Sequence, residues 1–144
     1  MWQFAATFFY LGKLPLAPGS WGSLGALILW VFLPLSYTIQ LMTIIVLFSI
    51  GVISSRKIAD AMNDSDPSEV VIDEATGMGI ALFMLPHNIT IYVIAFILFR
   101  IFDIFKPSFI YRMQNLPGGW GIMMDDVSAG IIAWLICQGL LTIL

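Results

Sequence analysis

Residues 66–105, DPSEVVIDEATGMGIALFMLPHNITIYVIAFILFRIFDIF, decide the fold. The part from Ala75 to Phe99 carries no formal charge. It reads either as one long span over Ile80–Phe105 or as a hairpin broken at Pro86, His87 and Asn88. Upstream, Asp66 stands as an N-cap, Pro67 at the first helical position and Glu69 at the capping-box position. A helix from Pro67 to Leu85 would be about 28 Å long. Ile89–Phe105 then supplies a return helix that Pro107 stops. The sequence therefore predicts a hairpin.

The flanking regions point to a membrane. Of 144 residues, 60% are hydrophobic and 10% charged, against roughly 45–50% and about 25% in ordinary globular domains. No charge occurs from Leu14 to Ser55 or from Val127 to Leu144. Pro34, Ser36 and Tyr37 divide the first block into two helices, Trp21–Leu35 and Thr38–Ser55. Val127–Leu144 gives about 27 Å of helix, which is one crossing. Met1–Leu11 is apolar and aromatic, and its first cation, Lys13, follows the apolar stretch, unlike a cleavable signal. It is too short to cross and reads as an interfacial or re-entrant helix. The expected fold is all-α: a polytopic helical membrane protein with about five membrane-embedded helices plus that N-terminal helix, forming a single domain over residues 1–144.

Charge placement supports five crossings over four. With the N-terminal segment inside, Lys13, Arg56, Lys57, Arg100, Lys106 and Arg112 all fall on or near the cytosolic face, as the positive-inside rule requires. Four crossings would separate Arg56 and Lys57 from Lys106 and Arg112. Several function classes drop out. Six Lys and Arg and a net charge of -3 leave no cationic stripe for a nucleic acid. The apolar fraction excludes intrinsic disorder, and the single Cys137 reads as a buried, inert thiol. His87, the only histidine, falls in an outer turn, which excludes chemistry needing two histidines.

The acidic residues carry the chemistry. Asp73, Glu74, Asp103, Asp125 and Asp126 lie close to membrane depth, where a carboxylate is expensive unless paired, hydrated or bound to a cation. A hairpin centred on His87 brings Glu74 level with Arg100, with Asp103 one turn nearer the cytosol. A structural ion pair between Glu74 and Arg100 is one reading. Five carboxylates against two cations, Arg100 and Lys106, exceed that need, and hard oxygen ligands suit Mg²⁺. Gly118, Gly119 and Gly121 can bring backbone N–H groups to a phosphate at a helix start, or can serve only as a turn. Asp64-Ser65-Asp66 has the outline of an Asp-x-Asp phosphatase signature but lies at a helix end and is rejected.

The order of these motifs resembles the phosphatidylglycerophosphatase A family of Mg²⁺-dependent membrane lipid phosphatases. The resemblance runs through Ala17-Pro18-Gly19-Ser20-Trp21-Gly22-Ser23, Asp66-Pro67-Ser68, Val70-Val71-Ile72-Asp73-Glu74 with Gly77, and Phe99-Arg100-Ile101-Phe102-Asp103 with Lys106-Pro107. It ends with Gly118-Gly119-Trp120-Gly121-Ile122-Met123-Met124-Asp125-Asp126 and Ala129-Gly130. Ser20 stands where the family often has Thr, Phe109 replaces a second proline, and Met113–Pro117 lacks the family's charges. The resemblance implies hydrolysis of phosphatidylglycerol phosphate to phosphatidylglycerol and inorganic phosphate, a step of phospholipid biosynthesis at the cytosolic face of a bacterial-type inner membrane. It implies Mg²⁺ held by Asp73, Glu74, Asp125 and Asp126, with Asp103 beside them as a catalytic carboxylate. Arg100, Lys106 and the N–H groups of Gly118, Gly119 and Gly121 would bind the phosphate. A CDP-alcohol phosphotransferase is the nearest enzymatic alternative, but its Asp-Gly-x-x-Ala-Arg pattern is absent. A small ion transporter is the non-enzymatic alternative, although Leu24–Ile53 and Val127–Leu144 contain no charge along their length.

Overall fold

The computed structural model describes residues Met1–Leu144 as an all-helical chain without strands. Its seven α-helices are α1 (Trp2–Ala6), α2 (Pro18–Phe32), α3 (Tyr37–Met62), α4 (Ile72–Ala81), α5 (Ile89–Phe105), α6 (Ser108–Met113) and α7 (Gly119–Ile143). Local signals set most boundaries. Pro18 opens α2, which stops at Phe32 because Pro34 forces Leu33 into an extended conformation. Asn88 caps α5, its side chain accepting from the Thr90 and Ile91 N–H groups. Lys106, in the left-handed region at φ 39°, ends α5 before Pro107.

The hairpin expected at Pro86–Asn88 is present, but its first arm is corrected. α4 has 10 residues rather than the length of Pro67–Leu85, or about 15 Å at 1.5 Å per residue. Tertiary hydrogen bonds override the helix-start signal at Asp66. The Val71 N–H donates to the Ala6 carbonyl at 2.9 Å, and the Asp66 N–H turns back to Asp64 Oδ1 at 3.1 Å. At the other end Met84 adopts φ 55°, and its N–H donates to Gln40 Oε1 at 2.8 Å. Trp134 Nε1–H caps the Phe83 carbonyl at 2.8 Å.

Two further expectations change. α7 begins at Gly119 rather than Val127, so Asp125 and Asp126 lie in its second turn instead of preceding it. The N-terminal segment is a five-residue helix followed by three left-handed residues, Phe8, Phe9 and Tyr10, and a single 3₁₀ turn. Lys57 Nζ over the Trp2 ring, 4.2 Å from its centroid, ties this segment to α3.

Two helices, α3 and α7, are long and apolar enough to cross a membrane, rather than about five. Proline and tertiary hydrogen bonds cut the others short. Even so, the molecule exposes large apolar side chains and encloses polar ones within an apolar core. Large side chains such as Phe32, Ile45, Ile97, Phe105 and Leu135 are exposed, while Ser23, Gln40, Ser54, Ser55 and Thr76 are fully buried. α4 lies at the centre, with eight of its residues buried and α2, α3, α5 and α7 packed around it. Trp30 and Cys137 are buried, and His87 lies in the outer turn, its ring 6.0 Å from that of Tyr92.

Small residues allow a polar helix to be enclosed in this way. A Cβ on Gly77 would lie 2.5 Å from the Asp126 carbonyl oxygen and 2.6 Å from Phe99 Cε2, and one on Gly130 would run into the Gly77 backbone. The α4 and α7 backbones therefore touch, as in small-residue membrane helix contacts. Gly77→Ala and Gly130→Ala are expected to lose about 1–3 kcal/mol to overpacking, read as a lowered melting temperature in detergent. Gly139→Ala, with nothing within 4 Å of the added atom, is the control and is expected to melt like the parent.

Candidate active site

Parts of four helices meet at one end of the bundle. The first turns of α2 and α4, the second turn of α7 and the last turns of α5 face a cleft of about 310 Å³. Pro18, Gly19, Asp66, Asp73, Glu74, Arg100, Asp103, Lys106 and Asp126 are among its lining residues. Asp66 is shared with a wider cleft of about 740 Å³ between the end of α3 and the α6–α7 turn. Asp125, Gln114, Gly118, Gly121 and Arg56 line that wider cleft.

The carboxylates are the least exposed charged groups in the chain. Asp73, Asp103, Asp125 and Asp126 retain between 2% and 7% of their surface. Asp73, Asp125 and Asp126 each present an oxygen within 4.8 Å of the others. Three of the four residues expected to hold a metal are thus gathered. Glu74 stands outside that group, because its side chain leaves α4 about 100° around the axis from Asp73. Its Oε1 lies beside Gly19 instead.

The counter-charges are arranged differently from the Glu74–Arg100 ion pair that is one reading of the sequence. Arg100 bonds Asp103, three residues on and on the same face of α5, and makes no ion pair with Glu74. Lys106 Nζ donates to Asp125 Oδ2 at 2.6 Å, linking the end of α5 to α7. Gln114 Nε2–H donates to the same oxygen at 3.1 Å, and the Asp126 N–H donates to Asp125 Oδ1 at 2.9 Å. Burial alone would lower the Lys106 pKa. The hydrogen bond to Asp125 and the charges of Asp125, Asp126 and Asp103 outweigh that and raise it above the ordinary lysine value. At the junction of the two clefts, desolvation by the surrounding walls and the charge of Asp125 raise the Asp66 carboxyl above its usual range.

The residues fit a divalent cation. Asp73 Oδ1, Asp126 Oδ1 and Glu74 Oε2 are buried oxygens with no hydrogen-bond donor in the protein. A buried carboxylate oxygen in that state needs a positive partner. Hard, all-oxygen donors select an ion such as Mg²⁺ over softer metals.

The glycine turn is placed otherwise than expected. Gly119 packs against the Val52 carbonyl of α3, and Gly121 against the carbonyls of Gln114 and Leu116. The Gly121 N–H is spent on the Gly118 carbonyl at 3.2 Å. Gly118 and Gly121 line the wider cleft, and Gly119 lines neither. Two participants escaped the sequence reading. Gln114 is a neutral residue in a turn and gives no local signal. Gly19 lies within the Ala17–Ser23 motif, whose helix start could have marked it.

Comparison with known proteins identifies relatives along most of the chain. The model of the phosphatidylglycerophosphatase A family matches residues 4–141. The phosphatidylglycerophosphatase A of Escherichia coli K12 is 40% identical over 139 residues, covering 92% of this chain and 78% of the relative. That of Haemophilus influenzae Rd is 39% identical over 129 residues, covering 87% and 79%. A Bacteroides thetaiotaomicron protein provisionally named a phosphatidylinositol-3-phosphatase is 41% identical over 139 residues, covering 90% and 87%. No solved structure matches the chain. With the matched span running from the N-terminal segment through α7 and containing every residue of the acidic cleft, the chain belongs to the phosphatidylglycerophosphatase A family.

Proposed function

We propose that this chain hydrolyses phosphatidylglycerol phosphate to phosphatidylglycerol and inorganic phosphate, using Mg²⁺, at the cytosolic face of a bacterial inner membrane. The observation that carries the reading is the group of three buried carboxylates, Asp73, Asp125 and Asp126, of which Asp73 and Asp126 share a cleft with Arg100 and Lys106 while Asp125 is bonded to Lys106. Family membership supplies the reaction class.

In this reading Asp73, Asp125 and Asp126 hold the ion, with Glu74 beside them. When bound, Mg²⁺ neutralises charge and polarises the phosphoryl group. Arg100, steadied by Asp103, and Lys106, steadied by Asp125, face the phosphoryl oxygens and offset their charge. Glu74 has an Oε2 free of donors and is the carboxyl available to move a proton from the attacking water to the departing lipid hydroxyl. Gln114 and Lys106 together keep Asp125 in one orientation.

The exposed apolar faces support a placement in the bilayer. In this placement α3 and α7 span the layer, α2 and α5 flank them with exposed apolar faces, and α4 is enclosed between. Arg56, Lys57, Arg100 and Lys106 lie at the end of the bundle that holds the cleft. The positive-inside rule assigns that end to the cytosol.

Purified protein supplied with phosphatidylglycerol phosphate and Mg²⁺ is expected to release inorganic phosphate. Chelation is expected to stop release, and added Mg²⁺ to restore it. Cation flux without phosphate release would contradict the reading. Phosphatidylinositol 3-phosphate, offered in parallel, is expected to be the poorer substrate.

Substitution addresses the residues. Asp73→Asn and Asp126→Asn are each expected to lower turnover at least about 100-fold, the upper end of the loss from removing even an outer partner of a metal site. Membrane insertion and expression are expected to be unchanged. Near-normal turnover in either variant would remove that residue from the site.

A further inference from the structure

The Gly118–Gly121 turn offers little to an anion in the acidic cleft, since Gly118 and Gly121 line the wider cleft and Gly119 packs against the Val52 carbonyl. A different helix start faces that cleft. α2 opens at Pro18, and Ala17, Pro18 and Gly19 form part of the cleft wall. No side chain caps this helix, and its first N–H to find an acceptor is that of Trp21, bonded to the Ala17 carbonyl at 3.2 Å. The N–H groups of Gly19 and Ser20 therefore have no acceptor in the protein. The segment entering α2 is held in place, because Trp21 Nε1–H donates to the Pro15 carbonyl at 3.1 Å.

A second, independent feature points to a ligand at the same place. Asp73 and Asp126 are both more than nine-tenths buried, line this cleft, and each keep an Oδ1 with no donor. Gly19 also touches the cleft's guanidinium. A Cβ there would lie 3.1 and 3.2 Å from the two terminal nitrogens of Arg100, and 2.5 Å from Glu74 Oε1. Only a residue without a side chain leaves that corner open.

We propose that the N-terminus of α2, through the Gly19 and Ser20 N–H groups together with Arg100, is the subsite that receives a phosphate monoester. Free donors and the positive end of a 15-residue helix suit a dianion there. The inference rests on the phosphatase reading above and adds to it the groups that grip the phosphoryl oxygens. The terminal phosphate of the lipid and free inorganic phosphate present the same chemistry, so each is measured separately.

The test uses the full chain in detergent with Mn²⁺. It measures KM for phosphatidylglycerol phosphate, the inhibition constant of inorganic phosphate, and Mn²⁺ binding by electron paramagnetic resonance. One variant is Gly19→Ala. The other replaces the Gly19 N–H with an ester oxygen, which adds no side chain and removes no bond the helix uses. Both are expected to raise KM and the phosphate inhibition constant by about tenfold or more, the effect of losing a hydrogen bond to a charged group, with Mn²⁺ binding unchanged. If Gly19→Ala fails to fold, the ester variant decides alone. An ester variant with both constants within twofold of the parent, or one that loses Mn²⁺ together with phosphate, overturns the subsite. A rise in the inhibition constant without a rise in KM also overturns it, by confining the effect to free phosphate. A parent protein that releases no phosphate overturns the phosphatase reading itself, and the subsite with it.

Discussion

Four aspartates withdrawn from water at one end of an apolar bundle set the terms for the rest of the structure. Each carries a desolvation penalty of several kcal/mol unless charge or hydrogen bonds offset it. The chain offsets part of it with two devices. Lys106 bonds Asp125 and Arg100 bonds Asp103, so two of the acids have a cation. The N-termini of α2 and α4 converge on the same place, adding the positive ends of their dipoles. What remains, on Asp73, Glu74 and Asp126, is negative charge that no donor in the protein meets. A divalent ion is the partner that this remainder fits.

Concentrating polar groups this way goes together with apolar side chains on the outside as well as in the core. Apolar residues of α2, α3, α5 and α7 turn outward, and the most polar helix, α4, is enclosed. The enclosure depends on glycine, because α4 and α7 meet backbone to backbone at Gly77 and Gly130, while Gly79 makes room for the buried Trp30 ring. α4 is short for the same reason that it is well placed. Its ends are fixed by hydrogen bonds from distant parts of the chain, to Ala6 at one end and Gln40 at the other. The acids in its first turn are thereby held at a constant depth.

Much of this was legible in the sequence where the signals are local. The bounds of α5 follow from Asn88 and Pro107, and the chemical weight of Asp73, Asp125 and Asp126 follows from the expense of charge among apolar residues. Features that depend on partners far along the chain were not legible. The capping pattern at Asp66 is a sound local signal, yet the Val71–Ala6 bond prevails over it. Depth in a hairpin suggested Glu74 with Arg100, but helical phase places Arg100 against Asp103. Glycine composition points to Gly118–Gly121, whereas the helix start that lines the acidic cleft is that of α2, at Pro18 and Gly19. Gln114 announces nothing until the turn that carries it is folded against α7.

The central claim is that separate helices, α4 and α7, deliver their carboxylates to one shared cation. Thermal unfolding of the purified protein in detergent, with and without Mg²⁺, tests it without reference to turnover, since a ligand bound only by the folded state raises the melting temperature. The account predicts that Mg²⁺ stabilises the parent and that this shift is lost alike in Asp73→Asn, on α4, and Asp126→Asn, on α7. An undiminished Mg²⁺ shift in both variants would contradict it.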